Sequence, residues 1–150
     1  MGAEVTRSTE VVLPTSVDET WAMLSDTPRM VALDPLIDRY EPEHGVIEVG
    51  TLNRVRSRIG PFSARLVTRT DALEPPRRAT FVSVTPARPA RIRAEETLEP
   101  AEAGCRLRVT ITATPTLPLL GPLFARTISR MMLTQRHRLL ERLCTDMADG

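Results

Sequence analysis

The sequence predicts an α+β protein in which an antiparallel β-sheet is covered by one long C-terminal helix. Three observations carry this. A helix-start signal follows the first β-rich segment. The apolar period is then two from about residue 36 to 115. After Pro118 it returns to 3.6. At 150 residues and 41% hydrophobic content, the chain is expected to form one domain over 1–150. A chain of that length buries roughly 68–70% of its unfolded surface.

Residues 4–13 are rich in β-branched side chains and end at Pro14, which predicts a strand. Ser16-Val17-Asp18-Glu19 reads as a capping box. Val17, Trp21 and Leu24 follow at i, i+4 and i+7, one stripe of a short helix that Asp26-Thr27-Pro28 breaks. A second helical turn is expected over 28–33, with Met30 and Leu33 facing inward and Pro35 ending it.

The clearest β-unit is 51–70. Gly60-Pro61 suits a two-residue turn, because Gly accepts positive φ and Pro has a fixed one. Placing Ile59 opposite Phe62 pairs Ser57 with Ala64, Val55 with Leu66, Asn53 with Thr68 and Thr51 with Thr70. The other face pairs Arg58–Ser63, Arg56–Arg65, Arg54–Val67 and Leu52–Arg69. A slip of one residue would exchange an apolar face for an Arg-rich one, so the pattern defines the register. A further strand is expected at 78–85. A second hairpin joins 91–99 to 105–114 around Pro100–Gly104, with Glu95 near Arg106 or Arg108.

Leu120, Leu123, Phe124, Ile128, Met131, Gln135, Leu139 and Leu143 trace a drifting stripe, which predicts an amphipathic helix over about 120–146. Arg126, Arg130, Arg136 and His137 are assigned to its polar side. It is the only element long enough to cover the sheet.

Twenty basic and 19 acidic residues leave a net charge of +1, which gives no case for DNA binding. All the basic residues are Arg; Asn53 and Gln135 are the only side-chain amides. That bias fits a GC-rich, bacterial coding sequence. Cys105 and Cys144 are too few for a disulfide framework or a zinc site, and free thiols fit a reducing compartment. With no secretory h-region and no run of 18 apolar residues, the expectation is a cytoplasmic protein without a transmembrane segment. No Ser/His/Asp order, phosphate-binding loop or metal-ligand spacing appears, so no cofactor and no metal are expected.

The segment Val11-Val12-Leu13-Pro14-Thr15-Ser16-Val17-Asp18-Glu19-Thr20-Trp21-Ala22-Met23-Leu24-Ser25-Asp26 resembles the SRPBCC superfamily, also called START-like or Bet v 1-like. Gly50-Thr51, Gly60-Pro61-Phe62, Leu73-Glu74-Pro75-Pro76-Arg77-Arg78 and the Leu/Arg-rich last helix extend the likeness along nearly the whole chain. It looks closest to the polyketide cyclase/dehydrase and lipid-transport branch. Leu33 stands where many relatives carry a Trp. The resemblance implies a helix-grip fold: a curved antiparallel sheet wrapped around the long C-terminal helix, with two short helices after the first strand and a cavity between sheet and helix. It also implies a hydrophobic ligand, such as a lipid, isoprenoid or polyketide.

Alternation then nominates the concave lining. From the strands come Asn53, Val55, Ser57, Leu66, Thr68, Ile92, Ala94, Leu107 and Val109; from the helix come Phe124, Ile128, Met131 and Gln135. An apolar lining with a few convergent polar groups is the usual composition of a small-molecule site. Glu96 is the only acid on that face. A buried, unpaired carboxylate holds its proton more tightly, so Glu96 is the candidate catalytic acid/base or ligand anchor. The other reading is that it meets an Arg at the sheet edge or reaches solvent at the cavity mouth. His44 and His137 share no motif.

The opposite face carries Arg54, Arg56, Arg58, Arg65, Arg69, Arg91, Arg93, Arg106 and Arg108. Arg56 opposite Arg65 is repulsive unless a carboxylate or anion lies between. Three functions follow: binding or transport of a hydrophobic molecule, a cyclase/dehydrase using Glu96, or an interaction module whose Arg face meets an acidic partner or anionic surface. Oligomeric state is not legible.

Overall fold

The computed structural model describes residues 3–34, 36–59 and 61–149. The chain runs β1 (Val5–Leu13), α1 (Val17–Ser25), α2 (Thr27–Leu33), β2 (Ile37–Pro42), β3 (Leu52–Ile59), β4 (Phe62–Glu74), β5 (Arg78–Thr85), β6 (Ala90–Ala101), β7 (Gly104–Pro115) and α3 (Leu120–Asp149). The seven strands form one antiparallel sheet in the order β1-β7-β6-β5-β4-β3-β2. It curves around α3 in the helix-grip arrangement.

Local chemistry explains most boundaries. Ser16 Oγ accepts from the Glu19 amide at 3.1 Å and starts α1. Asp26 then caps α2 directly, accepting from the Arg29 amide at 3.3 Å, with Pro28 in the first turn of that helix. The expected stop at Pro35 and the turn at Gly60 lie outside the described residues. Strands β3 and β4 pair in the expected register, from Leu52 opposite Arg69 to Ile59 opposite Phe62.

Two expectations about the strands change. The five-residue loop at Pro100–Gly104 is a two-residue turn, because Ala101 already pairs with Gly104. A side chain at Gly104 would collide with the Leu13 carbonyl, which explains the glycine. And β2 adds a seventh strand. It falls within the stretch of period two, but a register shift between Ile37 and Arg39 interrupts its own alternation, so the pattern does not single it out as a strand.

The core lies where α3 rests on β1, β7 and β6. Leu13, Leu107, Val109, Leu140 and Leu143 are almost fully buried there. On the outer face Asp38 sits between two arginines, accepting from Arg56 Nε at 2.7 Å and Arg58 Nε at 3.1 Å. Those hydrogen bonds, Arg56's first, hold its carboxyl below the usual range. Asp71 approaches Arg69 and Arg93, while Glu10 approaches Arg106 and Arg108. Glu95 pairs with Arg78 at 2.8 Å rather than with Arg106 or Arg108, because Glu95 faces Thr110 on one side and Thr80 on the other. Arg106 meets Glu99 instead.

Candidate functional site

The main cavity, about 380 Å³, lies on the inner face beside the packed half of α3. That falls within the roughly 300–1,000 Å³ of small-molecule pockets. The amphipathic stripe of α1 presents Trp21 and Leu24; α2 presents Met30 and Val31. The floor is Leu73 of β4, Ala79 and Phe81 of β5, and Leu98 of β6. Ile37 and Tyr40 of β2 close one side, and Val46 and Ile47 of the β2–β3 loop another. Leu139 enters from α3.

The polar groups gather against this apolar surface. Glu96 of β6 and Arg136 of α3 both line the cavity. Arg136 Nε donates to Glu96 Oε1 at 2.7 Å, and Nη2 lies 2.5 Å from the same oxygen. Asp34 also lines it; its Oδ1 accepts from the Leu36 amide at 2.9 Å, and Gln135 Nε2 donates to its Oδ2 at 3.4 Å. Burial pushes the Tyr40 phenol up to about 12, with smaller opposing influences from Arg136 and Glu96. Tyr40 therefore stays neutral and keeps both a donor and an acceptor at ordinary pH. The charged groups of the lining are two carboxylates against one guanidinium.

Of the nominated residues, Glu96 is the one in this lining. Gln135 stands just behind it through Asp34. Asn53 is fully buried, its amide nitrogen donating to Thr68 Oγ1 at 3.3 Å and Thr70 Oγ1 at 3.1 Å. Val55, Ile92, Leu107 and Val109 are buried. Ala94, Phe124 and Ile128 pack partly buried against the core. Ser57, Leu66 and Thr68 are half-buried, and Met131 is 48% exposed. On β6 and β7 the physical reason is that α3 packs directly over Ile92, Leu107 and Val109; on β3 the amide nitrogen of Asn53 is already used by Thr68 and Thr70. The opening lies further along, where α2 and the β2–β3 loop roof β4, β5 and β6.

Arg136 is a correction. The helical pattern assigns it to the polar side, yet it points into the cavity. Its inward signal is nevertheless present: Met132, Arg136, Leu139 and Leu143 are spaced by four, three and four, the inward helical period. Tyr40 and Asp34 escape a sequence reading because a short bulged strand and a helix end carry no period.

His44 is exposed beside the lining residue Gly45. His137 is not simply solvated: it hydrogen-bonds Thr9 Oγ1 through Nδ1 and Glu141 Oε1 through Nε2, both at 2.8 Å. Among the described residues there is no group of three or more His, Cys, Asp or Glu side chains placed to hold a metal ion, and no helix is long and apolar enough to cross a membrane.

A sheet gripping a long helix around an apolar cavity with a small polar pole defines a ligand-cavity protein of the helix-grip class. The sequence matches the polyketide cyclase / dehydrase and lipid transport family over residues 3–148, and the chain belongs to that family. No curated protein matches it. Among solved structures it resembles the di-domain ARO/CYC StfQ from the steffimycin biosynthetic pathway, with TM-score 0.79 and 14% identity over 98% of this chain and 52% of that one. It also resembles Ara h 8.0201, with TM-score 0.68 and 15% identity over 94% of this chain and 99% of that one. TTHA0849 from Thermus thermophilus gives TM-score 0.69 and 19% identity, covering 94% of each chain. At these identities the likeness is one of fold.

Proposed function

We propose that this protein binds or carries a hydrophobic small molecule bearing a neutral polar group, such as a hydroxyl or carbonyl. The observation that carries this is the apolar cavity with the Glu96–Arg136 pair at its polar pole. An aliphatic or ring body fits against Trp21, Met30, Phe81 and Leu98. Tyr40 and the ion pair supply hydrogen bonds to the polar end. A free carboxylate would meet two carboxylates against one guanidinium, so fatty acids fit less well than neutral lipids, isoprenoids, sterols or uncharged polyketides.

A cyclase/dehydrase reading needs Glu96 free to exchange a proton with substrate. Its two contacts with Arg136 support holding a ligand over transferring a proton. An acidic partner on the Arg-rich sheet face has less support, since Arg56, Arg58, Arg69, Arg93, Arg106 and Arg108 already meet carboxylates.

Thermal unfolding of the purified protein tests the reading against neutral lipids, isoprenoids, sterols, aromatic polyketides and fatty acids. A ligand at about 100 times its dissociation constant adds roughly 2.7 kcal/mol. Stabilisation by a neutral class, weaker with the matching carboxylate, is expected. No shift with any neutral class at saturation would overturn it.

A further inference from the structure

At one end of the molecule the chain leaves β7 at Pro115 and enters α3 at Leu120. Leu119, Leu120 and Leu123 there are 90%, 67% and 65% exposed, the largest values among the described large apolar residues. Leu119 has φ 62°, a left-handed backbone that bulky L-residues rarely adopt. The fold holds a strained leucine in water, where it gains no internal burial.

The β5–β6 loop packs beside these leucines. The Thr116 amide donates to the Pro89 carbonyl and Thr116 Oγ1 to the Ala87 carbonyl, both at 2.8 Å. Arg88 of that loop is exposed, as are Arg126 and Arg130 of α3. At 100° per residue, Leu120, Leu123, Arg126 and Arg130 share a sector of about 120°. Among the described residues, none of these three arginines forms a salt bridge. Neither Asp nor Glu occurs from 75 to 94 or from 103 to 140, which include the β5–β6 loop and the β7–α3 junction; the neighbouring acid is Glu4, ahead of β1, whose Oε2 accepts from Thr114 Oγ1 at 3.2 Å.

We infer that this end docks on an anionic lipid bilayer, with the three leucines at the headgroup–acyl boundary and Arg88, Arg126 and Arg130 on lipid phosphates. A nucleic acid would meet the arginines but leave the leucines in water. An acidic protein would need an apolar patch of its own. A bilayer surface offers both chemistries together.

Docking is separate from ligand entry. The lining residue Pro75 lies just before β5, whereas Arg88 lies beyond its end. Eight residues of strand span about 26 Å. The exposed lining residue Val46 lies between Glu43 and Glu48, an acidic rim that an anionic surface repels. The docked protein therefore turns that rim away from the bilayer.

The test is co-sedimentation with vesicles of phosphatidylcholine alone and of phosphatidylcholine with phosphatidylglycerol, at low and high salt. Binding to the anionic vesicles only, weakened by salt, is expected. R126E/R130E and L119S/L120S/L123S should each weaken it about tenfold or more, while keeping the parent's unfolding temperature and cavity-ligand shift. No binding to anionic vesicles at low salt overturns the inference. So does binding that the leucine variant leaves unchanged, which would indicate a purely electrostatic partner such as a nucleic acid.

Discussion

Arg136 of α3 reaches across to Glu96 of β6 and places two nitrogens, at 2.5 and 2.7 Å, on one carboxylate oxygen. The pair ties the closing helix to the sheet at the cavity wall. Both side chains are largely buried, 26% and 11% exposed. Removing one partner strands the other in a mostly apolar setting. Glu96→Gln is expected to cost about 1–3 kcal/mol in denaturant unfolding. A cycle with Arg136→Met should give a coupling of about 1 kcal/mol or more. Additive effects would mean that the contact contributes nothing.

Filling the cavity should separate stability from binding. Ala79 is buried and lines the space. Ala79→Phe places its ring into that space, so the unfolding free energy should change by no more than about 1–3 kcal/mol. Ligand affinity should fall about tenfold, equivalent to roughly 1.4 kcal/mol. Calorimetric titration reads both parent and variant. Unchanged affinity would place the ligand elsewhere.

Alkaline titration is unusually clean here because the chain has no Lys and one Tyr. Tyr40's pKa is raised from 10.0 to about 12, chiefly by burial. The unfolded chain then releases this proton first. Between about pH 10 and 12 the unfolded state binds fewer protons than the folded one, so stability falls as pH rises. The contribution is fully present below pH 10. Tyrosinate absorbance should appear near pH 12 in the folded protein and near 10 in denaturant. Tyr40→Phe should remove that part of the stability loss. A folded-state midpoint near 10 would show a solvated phenol.

The two thiols should differ in reactivity. Cys105 is fully buried, and burial raises its pKa, leaving less thiolate. Cys144 is partly exposed. Alkylation followed by mass spectrometry should label Cys144 first, with Cys105 labelled only on unfolding. Equal labelling rates would contradict the packing of β7 against β1 and α1.

The sequence carries the sheet further than it carries the site. The pairing of Val55 with Leu66 and Arg56 with Arg65 is legible because slippage would bury arginines. The inward placement of Glu96 follows from the same alternation. Alternation names a face, however, and not the stretch of that face left open. Ile92, Leu107 and Val109 share the face with Glu96, yet α3 packs over them. Loop and helix ends decide the roof of the cavity, so Val46, Asp34 and Tyr40 have no periodic signature. Arg136 has one, hidden by treating every arginine on the helix as solvated.

The central claim is that the cavity holds a neutral hydrophobic ligand, and Trp21 offers its most direct test. It is the chain's one tryptophan and lies in the lining. Its emission should be followed while long-chain alcohols, and then carboxylates of equal length, are titrated into the parent and Ala79→Phe. The account predicts a saturable change with the alcohol, weaker binding of the carboxylate and loss of affinity in the variant. No saturable change with any neutral ligand, or equal affinity for alcohol and carboxylate, would contradict it.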